Sequence, residues 1–163
     1  MVARRAGSLP VLWARDHDVV AEINRQHQNP LFLPGVTLDP AITATTDMAF
    51  ATEGAEAVLL VVPAQFLRGV IQLLGSHLRR GLPLLLCAKG IETSSLKLMS
   101  EIAAEILPAS PSAVLSGPTF AAEVARELPT AVTIASRDAA LGHAFIETLG
   151  SSRFRPYLSQ DPV

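Results

Sequence analysis

An α/β fold, with a mostly parallel sheet and helices on both of its faces, is what this sequence predicts. Three observations lead there. Short apolar runs alternate along the chain with segments of helical periodicity, the pattern of a sheet whose strands are linked by crossover helices. The runs are unbroken rather than alternating, as in strands buried on both faces. The 163 residues suit one domain, and 49% of them are apolar against 17% charged, a high apolar share for a chain of this size.

The elements follow in order. "VARRAGSLPVLWARD" reads as the tail of a helix, with Met1 inside it, running into a strand at Pro10 to Ala14. Asp16 is placed to cap a helix through about Gln28. "NPLFLPGVTLDP" is proline-rich and irregular, and "ITATT" (Ile42 to Thr46) is a weaker strand. "AVLLVV" (Ala57 to Val62) is the clearest strand, stopped by Pro63. In "AQFLRGVIQLLGSHL" a helical face of Phe66, Val70, Leu73 and Leu74 is expected. "PLLLCA" (Pro83 to Ala88) is a strand. "SSLKLMSEIAAEIL" repeats Leu96, Met99, Ile102, Ala103 and Ile106, with Ser94 or Ser95 as its cap and Pro108 as its end. "SAVLS" (Ser112 to Ser116) and "AVTIA" (Ala131 to Ala135) are strands. Between them "TFAAEVARE" forms a short helix from about Thr119. "DAALGHAFIETLG" opens on an Asp cap and closes on Gly150. "RFRPYL" (Arg153 to Leu158), with its internal proline, fits an edge strand.

Composition excludes several classes of function. A net charge of −2 with no basic run leaves no nucleic-acid footprint. The apolar runs fall far short of the roughly 20 residues that cross a bilayer, and no secretory signal is present. One cysteine allows no intrachain disulfide, which fits a reducing cytoplasm. Cys87 reads as a small buried hydrophobe. His17, His27, His77 and His143 are scattered, without metal-ligand or catalytic spacing, and read as surface or boundary residues.

Ligands of a parallel α/β sheet bind at the carboxyl ends of its strands, so the residues there are the candidates. In "LLLCAKGIE" a strand ends abruptly at Lys89 and Gly90. The ammonium is suited to a phosphate or hydroxyl, and Gly90 to close backbone approach or positive φ; a solvated lysine at a strand end is the alternative. In "SGPTFA", Gly117 and Pro118 make a turn and Thr119 starts a helix, whose free N–H groups and hydroxyl are donors for an anionic or polyol ligand. An ordinary turn and cap is the alternative. Ser116 is a weaker candidate, and Glu123 is left without a role. "LWARD" ends a strand where a cofactor ribose would sit in a dinucleotide fold; Arg15 there is suited to grip a phosphate or reads as a surface charge, and Asp16 is better explained as a cap. From the residues alone, Phe32 and Leu33 read as a hydrophobic plug.

One expected feature is not found. A dinucleotide fold opens with a strand, then G-x-G-x-x-G, then a helix, and no two of the ten glycines are separated by a single residue. The fold is therefore expected to be a Rossmann-like one, incomplete at the N-terminus, with the first strand and phosphate loop upstream of Met1. The strands flanking that position would expose unpaired edges, and a homo-oligomer is one possible consequence.

"AVLSGPTFAAEVARELPTAVTIAS", together with "LWARD", "NPLFLPG", "AVLLVVPAQ" and "CAKGIE" in that order and spacing, resembles the bacterial NAD(P)-dependent glycerol-3-phosphate dehydrogenase family over nearly the whole chain. The resemblance implies that residues 1–163 are a partial NAD(P)-binding domain, without the family's helical C-terminal domain. It implies substrate contacts at Lys89, Gly117 and Thr119, and cofactor contacts at Arg15, Pro63, Lys89 and Ala121. The implied cofactor is NAD or NADP. The implied small-molecule substrates are dihydroxyacetone phosphate and sn-glycerol 3-phosphate, interconverted reversibly, with phospholipid synthesis drawing on the product. The family's principal acid/base lysine lies in the C-terminal domain, so no catalytic residue is assigned here and this chain alone is expected to be inactive. The alternative is a non-catalytic remnant of the fold that acts as a weak ligand-binding or interaction module.

Overall fold

A computed structural model of the protein describes residues 1–162. Five strands form the main sheet, in the order β5 (Val58–Leu60), β6 (Leu84–Leu86), β7 (Ser112–Ser116), β8 (Thr130–Ala135) and β9 (Phe154–Ser159). β5, β6 and β7 are mutually parallel, with Leu84 between Val58 and Ser112 in register. β8 runs antiparallel to β7, and β9 is parallel to β8. The proline of β9, Pro156, lies opposite Val132 on an outer strand, where a missing N–H costs no ladder bond on the open side.

The centre of this sheet explains the apolar runs. Leu84, Leu85 and Leu86 are all fully buried, because successive side chains point to opposite faces and both faces are covered. Leu84 and Leu86 pack with Leu67, Ile71 and Leu74 of α4 (Ala64–Gly75) and with Met99, Ile102 and Ala103 of α5 (Met99–Ile106). Leu85 points the other way, to Phe145 and Leu149 of α7 (Ala139–Leu149). Asp138 caps α7 by accepting from the N–H groups of Ala140 and Leu141. Val2 and Ala3 of the short helix α1 (Val2–Arg5) pack on the same side as α7.

A second, two-stranded parallel sheet pairs β1 (Val11–Trp13) with β4 (Thr43–Thr45). Asp16 caps α2 (His17–Gln26) as expected, accepting from Asp18 and Val19 N–H. Val19 and Ile23 of α2 bury against Leu38, Ile42 and Ala44. Trp13 packs against the Leu60–Leu84 cluster, and its Nε1 donates to the Thr46 carbonyl at 3.0 Å. Among the described residues β1 pairs only with β4 and β5 only with β6, so each keeps one open edge. Val11, Leu12, Leu59 and Val61 are exposed there.

Three expectations need correction, and one helix was not foreseen. The irregular "NPLFLPGVTLDP" segment contains an antiparallel pair, β2 (Gln28–Asn29) with β3 (Leu33–Thr37), interrupted by a bulge that hides the strand period. A further helix, α3 (Met48–Thr52), is capped by Asp47; it is too short to show a period. The buried face of α4 is Leu67, Ile71 and Leu74, while Phe66 and Leu73 are exposed. That segment is apolar on more than one side, so periodicity alone fits two stripes. Neither Ser94 nor Ser95 caps α5. The Glu101 carboxylate accepts from Leu98 N–H at the helix start, and Leu96, at φ +55 and exposed, lies outside the helix.

Candidate functional site

Pro63, Lys89 and Gly117 each follow one of three adjacent parallel strands, so they share one end of the sheet. Pro63 leaves β5 and precedes α4. Gly90, after Lys89, takes φ +110, and a Cβ built on it would lie 4.0 Å from that of Ala64, which places the Lys89 turn against the start of α4. Positive φ is the reason for glycine here.

The Gly117 carbonyl is where the predicted substrate residues meet. Lys89 Nζ donates to it at 2.5 Å, and Thr119 N–H donates to it at 3.0 Å. The ammonium is exposed to solvent and already held over the "SGPTFA" turn, so an anion arriving at this rim would meet a positioned cation. Gly117 itself answers to packing. A Cβ there would come within 3.2 Å of Ala131 O and Val132 Cα on β8. The helix predicted to start at Thr119 begins later, as α6 (Ala121–Ala125) after Phe120. The Thr119 N–H is spent on the turn, which leaves its hydroxyl as the available donor. Ala121, in the first turn of α6, is exposed.

The remaining candidates are less tightly placed. Arg15 follows β1, in the other sheet, is exposed, and no hydrogen bond or ion pair ties it to Lys89 or Gly117. Phe32 is exposed, whereas Leu33 packs against the Val19–Ile23 cluster, so the core-plug reading holds for Leu33. Two concavities lie further along the molecule. One is lined by residues including Val2, Arg5, Val124 and Phe154, the other by residues including Pro129, Arg153 and Arg155. None of the candidate site residues lines either, and Lys89 is exposed. Cys87, two residues before Lys89, has its thiol pushed up to about 12 by burial, so it stays protonated and unreactive. The described residues contain no cluster of three or more His, Cys, Asp or Glu fit to hold a metal.

One part of the site was not singled out in the sequence. Glu92, three residues beyond Lys89, is nearly buried and accepts a bidentate pair from Arg68 of α4, Nε to Oε1 at 2.9 Å and Nη2 to Oε2 at 2.9 Å. Ser95 Oγ also donates to Glu92 Oε2. Arg68 Nη1 reaches Glu105 of α5 at 2.8 Å, and Lys97 Nζ reaches the other oxygen of Glu105 at 2.5 Å. Gln65 Nε2 donates to Ile91 O at 2.8 Å, and its Oε1 accepts from Thr93 N at 2.9 Å and Thr93 Oγ1 at 2.8 Å. Hydrogen bonds from Arg68 and Ser95 hold the Glu92 carboxyl below the usual range. Those from Arg68 and Lys97 bring Glu105 down to about 2. Only the lone "E" of "CAKGIE" hinted at this, since its partner Arg68 lies 24 residues earlier in the chain and Arg68 in turn bonds Glu105 on a later helix.

Comparison with known proteins bears on the family and the fold. The family model for the NAD-dependent glycerol-3-phosphate dehydrogenase N-terminus matches residues 1–142. The chain is 55% identical over 163 residues to the NAD(P)+ glycerol-3-phosphate dehydrogenase of Paramagnetospirillum magneticum, spanning 100% of this chain and 59% of that protein. It is 53% identical over 161 residues to that of Rhodospirillum rubrum, spanning 99% of this chain and 46% of that protein. The chain thus spans about half the length of the curated relatives it matches. The crystal structure of glycerol-3-phosphate dehydrogenase from Coxiella burnetii superposes with a TM-score of 0.91 at 33% identity, covering 98% of this chain and 49% of that one. The Rossmann-like reading of the fold is therefore correct, and the chain belongs to the NAD-dependent glycerol-3-phosphate dehydrogenase N-terminal family.

Proposed function

We propose that residues 1–163 form part of the NAD(P)-binding domain of a glycerol-3-phosphate dehydrogenase, an enzyme that reversibly reduces dihydroxyacetone phosphate to sn-glycerol 3-phosphate and so supplies phospholipid synthesis. The observation that carries the reading is the convergence of Lys89 and Thr119 on the Gly117 carbonyl at the end of the parallel strands. In this proposal Lys89, Gly117 and Thr119 border the substrate, while Arg15, Pro63, Lys89 and Ala121 border the cofactor.

The fit to the cofactor is partial. The exposed Lys89 ammonium and the Thr119 hydroxyl suit the polar groups of a nicotinamide nucleotide and a phosphorylated triose. No G-x-G-x-x-G occurs in the sequence, so these residues offer no glycine-rich cradle for a pyrophosphate. NAD(P)H, when bound, supplies the hydride. The contribution of this chain is to bind and orient. Lys89 brings positive charge to the rim, the turn at Gly117 and Pro118 fixes where that charge sits, and Thr119 adds a hydroxyl donor. No acid/base role is assigned to these rim residues, and the chain alone is expected not to turn over dihydroxyacetone phosphate.

Titrating NADH and NADPH against the chain tests the reading. Saturable binding that weakens about 10-fold in Lys89→Ala, as expected for loss of a charged contact, supports it. Binding unaffected by Lys89→Ala would remove Lys89 from the cofactor site, and no binding at millimolar cofactor would favour a non-catalytic remnant of the fold.

A further inference from the structure

We propose that Gln65, Arg68 and Glu92 are positioning residues for Lys89: they pin the segment after the Lys89–Gly90 turn to α4 and thereby hold the ammonium over the Gly117 carbonyl. The inference deepens the proposed site and rests on that reading for its functional meaning, but its structural content stands on its own.

The segment from Gly90 to Leu98 contains no helix or strand, and a lone antiparallel bridge between Ile91 and Leu98 is its only sheet-like pairing among the described residues. It leaves the sheet through a positive-φ glycine, and Leu96 takes φ +55 before α5 begins. A loop of this kind on a sheet rim would ordinarily be mobile. Here it is tied at consecutive residues. Ile91 O and Thr93 are both bonded to the Gln65 side chain, and Glu92 between them is bonded to Arg68. Its backbone is closed on itself as well, with Glu92 N–H donating to Lys97 O at 2.9 Å and Leu96 N–H to Glu92 O at 2.8 Å.

Gln65 and Arg68 are three apart on α4, so their side chains lie on one face of the helix, towards the loop. The planar guanidinium matches the carboxylate at two points, which fixes orientation as well as distance. Glu92 is nearly buried and would be costly to place there without that partner. Glu105 and Lys97 continue the chain of charges onto α5, so the loop is held between two helices. Lys89 lies two residues before the first anchor. With the backbone fixed at Ile91, Glu92 and Thr93, the turn at Gly90 has little freedom, and the lysine stem is aimed at β7.

The sequence supplies a clean readout, because Lys89 and Lys97 are the only lysines. Chain labelled with 15N-lysine therefore has two side-chain ammonium signals, observable at low temperature and mildly acidic pH. In the wild type the Lys89 signal should be shifted and its protons slow to exchange, through the bond to Gly117. Arg68→Ala and Glu92→Gln should each bring the Lys89 signal to the position of a free lysine, with exchange faster by about 10-fold, the effect expected for loss of a charge-assisted bond. Arg68→Lys adds a third ammonium signal, identified by its absence from Arg68→Ala, and should restore part of the Lys89 shift. The Lys97 signal reports on the Glu105 end of the same network, and the backbone amide spectrum of each variant shows whether the fold is retained.

A role in general stability alone would lower the melting temperature and leave the Lys89 signal of the still-folded variants in place; that result would overturn the proposal. Should a variant fail to fold, Gln65→Ala, which removes no charge, gives the same readout. Cofactor titration on the same samples separates the two ideas. If Lys89 is released in Arg68→Ala but Lys89→Ala does not change NADH binding, the positioning stands and the cofactor reading falls. If Lys89→Ala weakens binding but Arg68→Ala neither releases Lys89 nor weakens binding, the positioning falls and the cofactor reading stands.

Discussion

The strands β6 and β1 have similar sequences and opposite situations. Leu84, Leu85 and Leu86 of β6 are paired on both edges, covered on both faces and wholly buried. Val11 and Leu12 of β1 are about 40% exposed, and their strand has a partner on one edge only. The same kind of residue thus contributes unequally on the two sides of the molecule. Burial of an apolar side chain stabilises in proportion to the area taken from water, and that area is set by the neighbouring strands and helices rather than by the residue.

The sharpest way to break this comparison is a pair of truncations. Leu85→Ala should destabilise the chain by ~2–5 kcal/mol, the range for cavities in a closed core. Leu12→Ala should cost below ~1 kcal/mol, because part of its surface is already wet. Urea unfolding of both variants checks this, and equal losses would show that the two sheets are equally well packed. Gly117→Ala is expected to come next, at ~1–3 kcal/mol, the usual cost of forcing an extra methyl against fixed neighbours. Its Cβ would press on the β8 backbone rather than on a flexible side-chain tip. A neutral result would place the reason for this glycine at the ligand instead.

Acid provides a gentler test, directed at the Arg68 network. The Glu105 carboxyl is held at about 2, below its ordinary 4.5, first by the Arg68 hydrogen bond and then by that of Lys97. A depressed carboxyl binds fewer protons in the folded state, so its contribution is present above about 4.5 and is lost as pH falls towards about 2. Glu92 acts in the same direction. The effect is modest, since Glu105 is partly open to solvent and screened. The urea midpoint should fall between pH 6 and pH 3 more steeply in the wild type than in Arg68→Ala. Identical pH dependence would mean that the network does not link α4 to α5 in solution.

Much of the site was legible because its logic is local. An ammonium after an apolar strand, a glycine at a strand end and a threonine after a Gly-Pro turn each break a pattern, and such breaks fall at the carboxyl ends of strands in parallel folds. Lys89 and Thr119 meet at the Gly117 carbonyl, and Pro63 follows the neighbouring strand β5; their contacts with substrate and cofactor are the proposal. Arg15 remains apart, on a strand whose pairing does not join it to the main sheet. The Arg68–Glu92 pair could not be read in advance. Its members are 24 residues apart, and in sequence each resembles any charged residue on a helix or loop.

The sequence alone determined the alternation of strands and helices, the Asp caps at Asp16 and Asp138, and the buried run Leu84–Leu86 within "PLLLCA". All of these depend on residues within one turn or one strand of each other. Only the tertiary structure decided which face of α4 is buried, the reversal of β8 against β7, the bulged β2–β3 pair and the clamp on the Lys89 loop. The reason is physical: an apolar helix offers several stripes, an apolar strand pairs in either direction, and a charge takes whichever partner the fold brings within about 3 Å.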